Sequence, residues 1–462
     1  MEGSDPIQHR SSTLQRSILV ALIMGLLFYL GYALAEGTAN ARFLQVGAAV
    51  GVLVYLATFV DALLGIAILI VCIGLGPEVS WGGLGDLRLE DFVVPALLLS
   101  WLTRSGQRRD PMLPSPVGRP ATLYYVAMLV SALAGVAAGT TTLPRALVLL
   151  GKYLEYYVIF LIVLNNVRTR EELRGMAVFA FLVATTSALA SLGRTFDAGP
   201  AASKLQGPLG ETGNIYGGYL VLHMAVGMGL LMEVRGGGAR LGLAAGVLAM
   251  GTALLNTLSR TSYVAIAGAL LFFGILRDRR VLLFLLGFVL LLPTLPELVL
   301  TRMDTIRHVV QPGAYNASWD ARVTSWHAVL ERLSGPEFLL GRGPGSVNLG
   351  DVDSEYFRVL SDTGFLGLAL FITVLVGLFR LAIRTYDRLG RGTFEKGYAG
   401  GFLIAFVALC IHGVAATSFT SIRSMQGLVV LAGLFACLAH RLEEWDLAPR
   451  RHERPLPGPG LR

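Results

Sequence analysis

The 462-residue chain is 54% hydrophobic and 15% charged, with a mean hydropathy of +0.63, whereas water-soluble domains carry about a quarter charged residues. Its apolar residues gather in long runs, which excludes a soluble enzyme, a disordered chain, a disulfide-rich secreted module and an outer-membrane barrel, whose strands would alternate apolar and polar positions. The net charge of +7 calls for no nucleic acid, because orientation bias and attraction to membrane lipids account for it.

At about 20 residues per crossing of a ~30 Å hydrocarbon core, the runs predict an all-α, polytopic integral membrane protein of twelve to fourteen transmembrane helices with one large, partly helical loop. In chain order the spans fall near residues 16–36, 43–60, 61–77, 91–103, 121–139, 145–165, 174–193, 214–233, 240–257, 259–276, 280–298, 364–386, 398–418 and 424–440. The organisation expected is a tail over 1–15, a membrane bundle over 16–298, a loop over 299–363 with an amphipathic helix near 318–333, further spans over 364–440, and a Pro/Arg-rich tail over 441–462. Only Asp61 divides the runs across 43–77, and the run at 91–103 is short enough to be re-entrant. Arg10 and Arg16 ahead of an apolar run that ends in Ala33-Leu34-Ala35 resemble a signal peptide, but the length of the run and the many spans behind it favour an uncleaved first helix. Cys72, Cys410 and Cys437 sit inside apolar runs without the short spacing of a zinc site or a disulfide framework, and read as packing residues.

Basic residues concentrate in alternate loops on the cytoplasmic side of a membrane protein. With both termini inside, most of the 38 basic residues fall in inside segments, including Arg104, Arg168, Arg170, Arg174, Arg235, Arg277, Arg280, Arg388 and Lys396. Lys152 lies within a span with Glu155 at nearly helical spacing, close enough for the two to neutralise each other.

The arginines left outside are the unusual feature. The loop over 299–363 carries Arg302, Arg307, Arg322, Arg332, Arg342 and Arg358, with Arg145, Arg194, Lys204, Arg260 and Arg423 at neighbouring span ends. An outward basic cluster at the membrane surface suits a phosphorylated lipid head group, because the planar guanidinium matches phosphate oxygens; pairing with Asp304, Asp320, Glu331, Glu337, Asp351 or Glu355 is the plainer reading. Within the loop, Trp319, Val323, Trp326, Leu330 and Leu333 form an apolar stripe that Gly335-Pro336 ends, with Arg322 at its border, about 60° from its centre at ~100° per residue. The Gly341-Arg342-Gly343-Pro344-Gly345 turn is flexible enough to bring N–H groups to an anion, although it lacks the Lys-Ser/Thr ending of a nucleotide-binding loop.

Four stretches resemble the O-antigen ligase and polymerase superfamily: Gly207-Pro208-Leu209-Gly210-Glu211-Thr212-Gly213-Asn214; Thr257-Leu258-Ser259-Arg260; Arg322 through Trp326 with Gly341-Arg342-Gly343; and Tyr356, Leu360 and Gly364-Phe365-Leu366-Gly367. The resemblance implies a multi-pass glycosyltransferase of the bacterial inner membrane, both termini cytoplasmic, which takes a glycan from undecaprenyl pyrophosphate to a lipid or glycan acceptor at the periplasmic face. It implies that Arg260, Arg322, Lys204 and Arg342 bind the pyrophosphate, with Asn214, Ser259 and Tyr356 in support. One departure stands out. The family's His-Asn pair before the Tyr is replaced by Asp353-Ser354-Glu355-Tyr356, so the base role passes to Asp353 or Glu355. His308 and His327 match no family motif.

Such a transfer has an anionic leaving group, so the transition state gains most from fixed positive charge around the pyrophosphate, which arginines supply without a metal or other cofactor. The acceptor hydroxyl needs a base within hydrogen-bond reach. A lone Arg where two apolar runs meet, as at Arg260, is costly unless it faces a polar cavity or snorkels to the interface. Asp351-Val352-Asp353 has the spacing of a cation-binding pair, but such pairs serve cytoplasmic nucleotide-sugar donors and this one is expected outside. A transporter of lipid-linked glycans would also want many spans and buried arginines, but no internal repeat of the kind transporters show is visible. A non-catalytic assembly protein is the remaining alternative.

Overall fold

A computed structural model of the protein describes residues 51–58, 61–76, 78–80, 86–108, 112–197, 205–208, 211–291, 317–347 and 352–445. The tails over 1–15 and beyond 445, the span at 16–36, much of that at 43–60, the loop residues 292–316, and Lys204 and Asp351 lie outside those residues.

The fold is helical apart from one short hairpin, and multi-pass, as the composition requires; among the described residues eight helices are long and apolar enough to cross a membrane. After a helical stretch over 51–58 the chain forms α1 (Ala62–Leu75), a short antiparallel hairpin of β1 (Glu78–Ser80) and β2 (Asp86–Arg88), α2 (Glu90–Arg108), α3 (Gly118–Ala137), α4 (Leu143–Asn166) and α5 (Arg170–Asp197). Then come α6 (Gly213–Glu233), α7 (Gly237–Asn256), α8 (Arg260–Leu276), α9 (Leu282–Leu291), the loop helices α10 (Ala317–Arg332) and α11 (Pro336–Leu340), and finally α12 (Glu355–Arg388), α13 (Phe394–His412) and α14 (Ile422–His440).

Asp61 divides its apolar run because it is a helix cap: its carboxylate accepts from Leu63 N–H at 2.9 Å at the start of α1, an arrangement worth about 1 kcal/mol. Helices that are apolar all round belong in the middle of a bundle, and α6, α13 and α14 are buried around most of their circumference while α3 and α7 turn Leu133, Leu241 and Leu248 outward to lipid. Between equally apolar helices in lipid, close packing of small residues supplies the attraction. Gly229 of α6 accordingly lies against Gly397 and Gly401 of α13, where a Cβ on Gly229 would fall 2.3 Å from the Gly401 nitrogen.

Contacts among the loops sort the bundle into two ends. At one, Arg170 and Arg174 reach Glu395, Arg280 reaches Glu233 and Asp278, and His440 meets the Pro114 carbonyl. At the other, Asn214, Ser259, His412, Glu355 and Arg322 gather near the start of α14, and the Arg342 turn is held separately against the end of α3. Among the described residues, the basic loops around 112–117, 167–169, 234–236, 277–281 and 389–393 meet at one end, as the sequence grouped them.

Two boundaries and one helix face differ from the sequence reading. The span expected at 398–418 ends at His412, and residues 413–421 form a non-helical corner; Val414, Ala415 and Ala416 carried the hydropathy past the true end. The helix expected at 364–386 begins at Glu355 and kinks at Gly364, whose φ of 65° needs glycine. In α10 the face that docks on α12 is Trp326, Val329 and Leu333, with Trp326 stacked on Phe357 at 5.0 Å, while Leu330 is exposed.

A cavity of about 320 Å³ runs between α3, α4, α12, α13 and α14, lined by apolar and aromatic side chains including Tyr124, Tyr153, Phe371, Phe419 and Leu428. Phe419 adjoins Thr420, which bonds Glu355, so the cavity reaches the Asn214 end.

Candidate active site at the Asn214 end

Two helices start side by side at this end. The segment leading into α6 is tied to the α7–α8 corner by Leu205 N–H donating to the Asn256 carbonyl at 2.9 Å, and a Cβ on Gly213 would fall 2.5 Å from the Thr257 carbonyl. Ser259 caps α8 by accepting from Ser262 N–H, and its hydroxyl donates to Asn214 Oδ1 at 2.9 Å. Leu258, just before it, has a φ of 53°, a left-handed conformation that costs a non-glycine residue roughly 1–2 kcal/mol. Backbone strain of this kind persists where surrounding structure over-determines it, here to fix the Ser259 cap. Helix N-termini present unpaired N–H groups and the positive end of the dipole; Asn214 stands at one and Arg260, half-buried, at the other.

A run of side chains continues inward from this pair. Ser259 Oγ lies 2.8 Å from Ser262 Oγ, Ser262 Oγ lies 3.0 Å from His412 Nε2, and His412 Nδ1 lies 2.7 Å from Ser418 Oγ. His412 and Ser262 are residues that the sequence reading missed. A His inside an apolar run is itself a signal of function or pairing, hidden here because the run was drawn past it.

The loop helix α10 delivers Arg322 from its docked edge. Arg322 Nη2 donates to Asp353 Oδ2 at 3.2 Å, with the arginine largely covered and the carboxylate about half exposed. Asp353 lies two residues ahead of Glu355, whose N–H meets the carbonyl of Gly413, the residue after His412, so the Arg322–Asp353 pair stands at the same end of the bundle as the Asn214–Ser259–His412 run. Glu355 has a different setting. It is fully buried and accepts from Phe419 N–H at 3.0 Å, Thr420 N–H at 3.2 Å and Thr420 Oγ1 at 2.7 Å, while its own N–H meets the Gly413 and Ala416 carbonyls. Tyr356 donates to the Cys410 carbonyl at 2.8 Å. Glu355 and Tyr356 thus pin α12 to the 413–421 corner, next to His412.

Arg342 and the Gly-rich turn are placed apart from this group. The N–H groups of Arg342 and Gly343 donate to the Ser361 and Asp362 carbonyls at 2.8 and 3.0 Å, and the Arg342 carbonyl accepts from Thr140 Oγ1 at 2.5 Å. Those donors, expected to face an anion, are consumed in holding the turn between α3 and the kink of α12. A Cβ on Gly341 would meet Thr363 N at 2.4 Å, so the glycines serve close backbone contact. The Arg342 side chain lies 3.9 Å from Glu337.

Buried charges elsewhere are structural. Arg423, fully buried, meets Glu211 at 2.6 Å, holding the 205–214 segment against α14. Lys152 reaches both Asp91 and Glu155, and Gln426 donates to Glu155, so the neutralising pair expected within α4 extends to α2 and α14. Cys72, Cys410 and Cys437 are free thiols, buried or nearly so.

Residues 245–372 match the model of the O-antigen ligase family. The matched stretch runs from α7 into α12 and takes in Ser259, Arg260, Arg322, Arg342, Asp353, Glu355 and Tyr356; Asn214 and His412 lie outside it. No curated protein matches the chain.

Proposed function

We propose, starting from the O-antigen ligase match over residues 245–372, that the chain is a membrane glycosyltransferase of the ligase or polymerase type, which moves a glycan from undecaprenyl pyrophosphate to an acceptor hydroxyl in surface-polysaccharide synthesis. The observation that supports this reading is the hydrogen bond from Ser259 to Asn214, which joins the N-termini of α6 and α8 next to Arg260, with the Arg322–Asp353 pair at the same end of the bundle. In this scheme the Asn214 end faces the periplasm and the Glu395 end the cytoplasm, with both termini cytoplasmic in a bacterial inner membrane. Impermeant thiol labelling of cysteines introduced at Gly139 and Gly238 of whole cells checks this: label at Gly139 alone supports it, and label at Gly238 alone reverses it.

In the reaction the acceptor oxygen attacks the anomeric carbon, the bond from that carbon to the pyrophosphate oxygen breaks, and undecaprenyl pyrophosphate leaves with its electron pair. Arg260 and Arg322, with the N-termini of α6 and α8, stabilise the charge gathering on that leaving group. Asp353 takes the proton of the acceptor hydroxyl; of the two carboxylates it is the one that solvent and substrate reach, while Glu355 spends its oxygens on the 413–421 corner. Arg342 adds charge from the α3 side and Lys204 a point charge ahead of α6. The apolar cavity beside Thr420 accommodates lipid chain.

Purified protein given an undecaprenyl-pyrophosphate glycan and candidate acceptors is expected to release undecaprenyl pyrophosphate, and to stop when Arg260 is replaced by Ala. Release that is unchanged in Arg260→Ala and Asp353→Asn contradicts the assignment.

A further inference from the structure

We propose that His412 is a positioning residue, setting the orientation of the Asn214 side-chain amide so that its Nδ2–H₂ group faces the donor pyrophosphate; this rests on the transferase reading above. His412 is fully buried, and its ring is wedged against α6, where a Cβ on Gly218 would fall 3.3 Å from Cε1. Both ring nitrogens are engaged, Nδ1 with Ser418 Oγ at 2.7 Å and Nε2 with Ser262 Oγ at 3.0 Å. Ser262 passes the bond to Ser259 at 2.8 Å and Ser259 passes it to Asn214 at 2.9 Å.

Each hydroxyl in this run has one proton to give, so the direction of one bond fixes the rest. With the ring proton on Nε2, His412 donates to Ser262, Ser262 to Ser259, and Ser259 to Asn214. The amide must then accept with Oδ1, which leaves both Nδ2 protons on its other side. With the ring proton on Nδ1, every bond reverses and Asn214 turns its oxygen outward, opposing an anion. The structure has Oδ1 on Ser259, the orientation that leaves the donors outward, and no bond joins Nδ2 to another of the described residues. The tautomer of a buried ring is thereby read out three side chains away, at the N-terminus of α6. For Nε2 to carry the ring proton, Ser418 donates its hydroxyl to Nδ1.

The amide of Gln puts a nitrogen near the place of Nε2, and that of Asn puts one near Nδ1, so the two substitutions separate the halves of the ring. Binding of undecaprenyl pyrophosphate and of undecaprenyl monophosphate to the purified full chain is the measurement. His412→Asn is expected to weaken pyrophosphate binding about tenfold, the scale of one hydrogen bond to a charged group, and His412→Gln to restore it to within about threefold. Asn214→Ala should match His412→Asn, and the double variant should bind no more weakly than Asn214→Ala alone. Equal loss in the Gln and Asn variants, or additive losses in the double variant, overturns the positioning role and leaves the transferase reading intact. Wild-type protein that binds neither lipid overturns both.

Discussion

At the Glu395 end of the bundle, Arg170 and Arg174 close on one carboxylate with 2.7 and 2.8 Å contacts, and Glu395 has no exposure at all. At the Asn214 end, Arg322 meets Asp353 through one 3.2 Å contact and the carboxylate is about half exposed. The same residue type serves two purposes. At the Glu395 end carboxylates from neighbouring helices satisfy the arginines, and the charge is spent on joining α5 to α13 and α6 to the corner after α8. On the proposed transferase reading Arg322 at the Asn214 end acts on substrate, and its partner carboxylate is far more exposed than Glu395. Substitutions at the first end should therefore cost stability, and at the second, turnover.

The largest effect is expected from Arg260→Ala, which should lower turnover by roughly 100-fold or more, the scale of removing a donor from a developing anion, with little change in thermal midpoint. Asp353→Asn should follow at roughly 100-fold, the range of a lost general base, and should also leave the midpoint in place. Glu395→Gln inverts the pattern. It leaves two arginines facing a neutral group and should destabilise the fold by about 3 kcal/mol, as the breaking of a buried pair does, read as a lower melting midpoint in detergent. Turnover measured well below that midpoint should hold. A loss of turnover in Glu395→Gln without unfolding would break the contrast between the ends.

The smallest effect concerns pH. The Arg280 guanidinium holds the Asp278 carboxyl below the ordinary carboxylate range. Because its folded pKa lies below the unfolded one, the stability it contributes is present above about pH 4 and is lost as the pH falls through the folded value. Melting midpoints of wild type and Asp278→Asn should differ modestly near pH 7 and converge in strong acid; a difference that persists there would mean that Asp278 does not act through its charge.

Hydropathy and charge placement made the solvent, the helical class and the grouping of loops into two ends legible in the sequence, since each follows from residue type and order alone. Arg260 stood out as a lone Arg where two apolar runs meet, Ser259 only through the family resemblance, and the border position of Arg322 because helix faces are local; that Ser259 caps α8 is visible only in the structure. The Gly341–Gly345 turn misled because flexibility in the sequence does not say where N–H groups point, and the Ser361 and Asp362 carbonyls that capture them come from the next helix. The run from Asn214 to His412 was invisible because its members lie on α6, α8 and α13 and meet only when those helices pack. Glu355 read as a second base for the same reason: its partners, Phe419 and Thr420, are far away in the chain.

The most direct measurement is release of undecaprenyl pyrophosphate from its glycan by purified wild type, Arg260→Ala and Glu395→Gln at a temperature where all three remain folded. Release by wild type and Glu395→Gln, with near-complete loss in Arg260→Ala, is the expected result. No release by wild type with any acceptor, or equal release by all three, would contradict the assignment of the Asn214 end as the catalytic one.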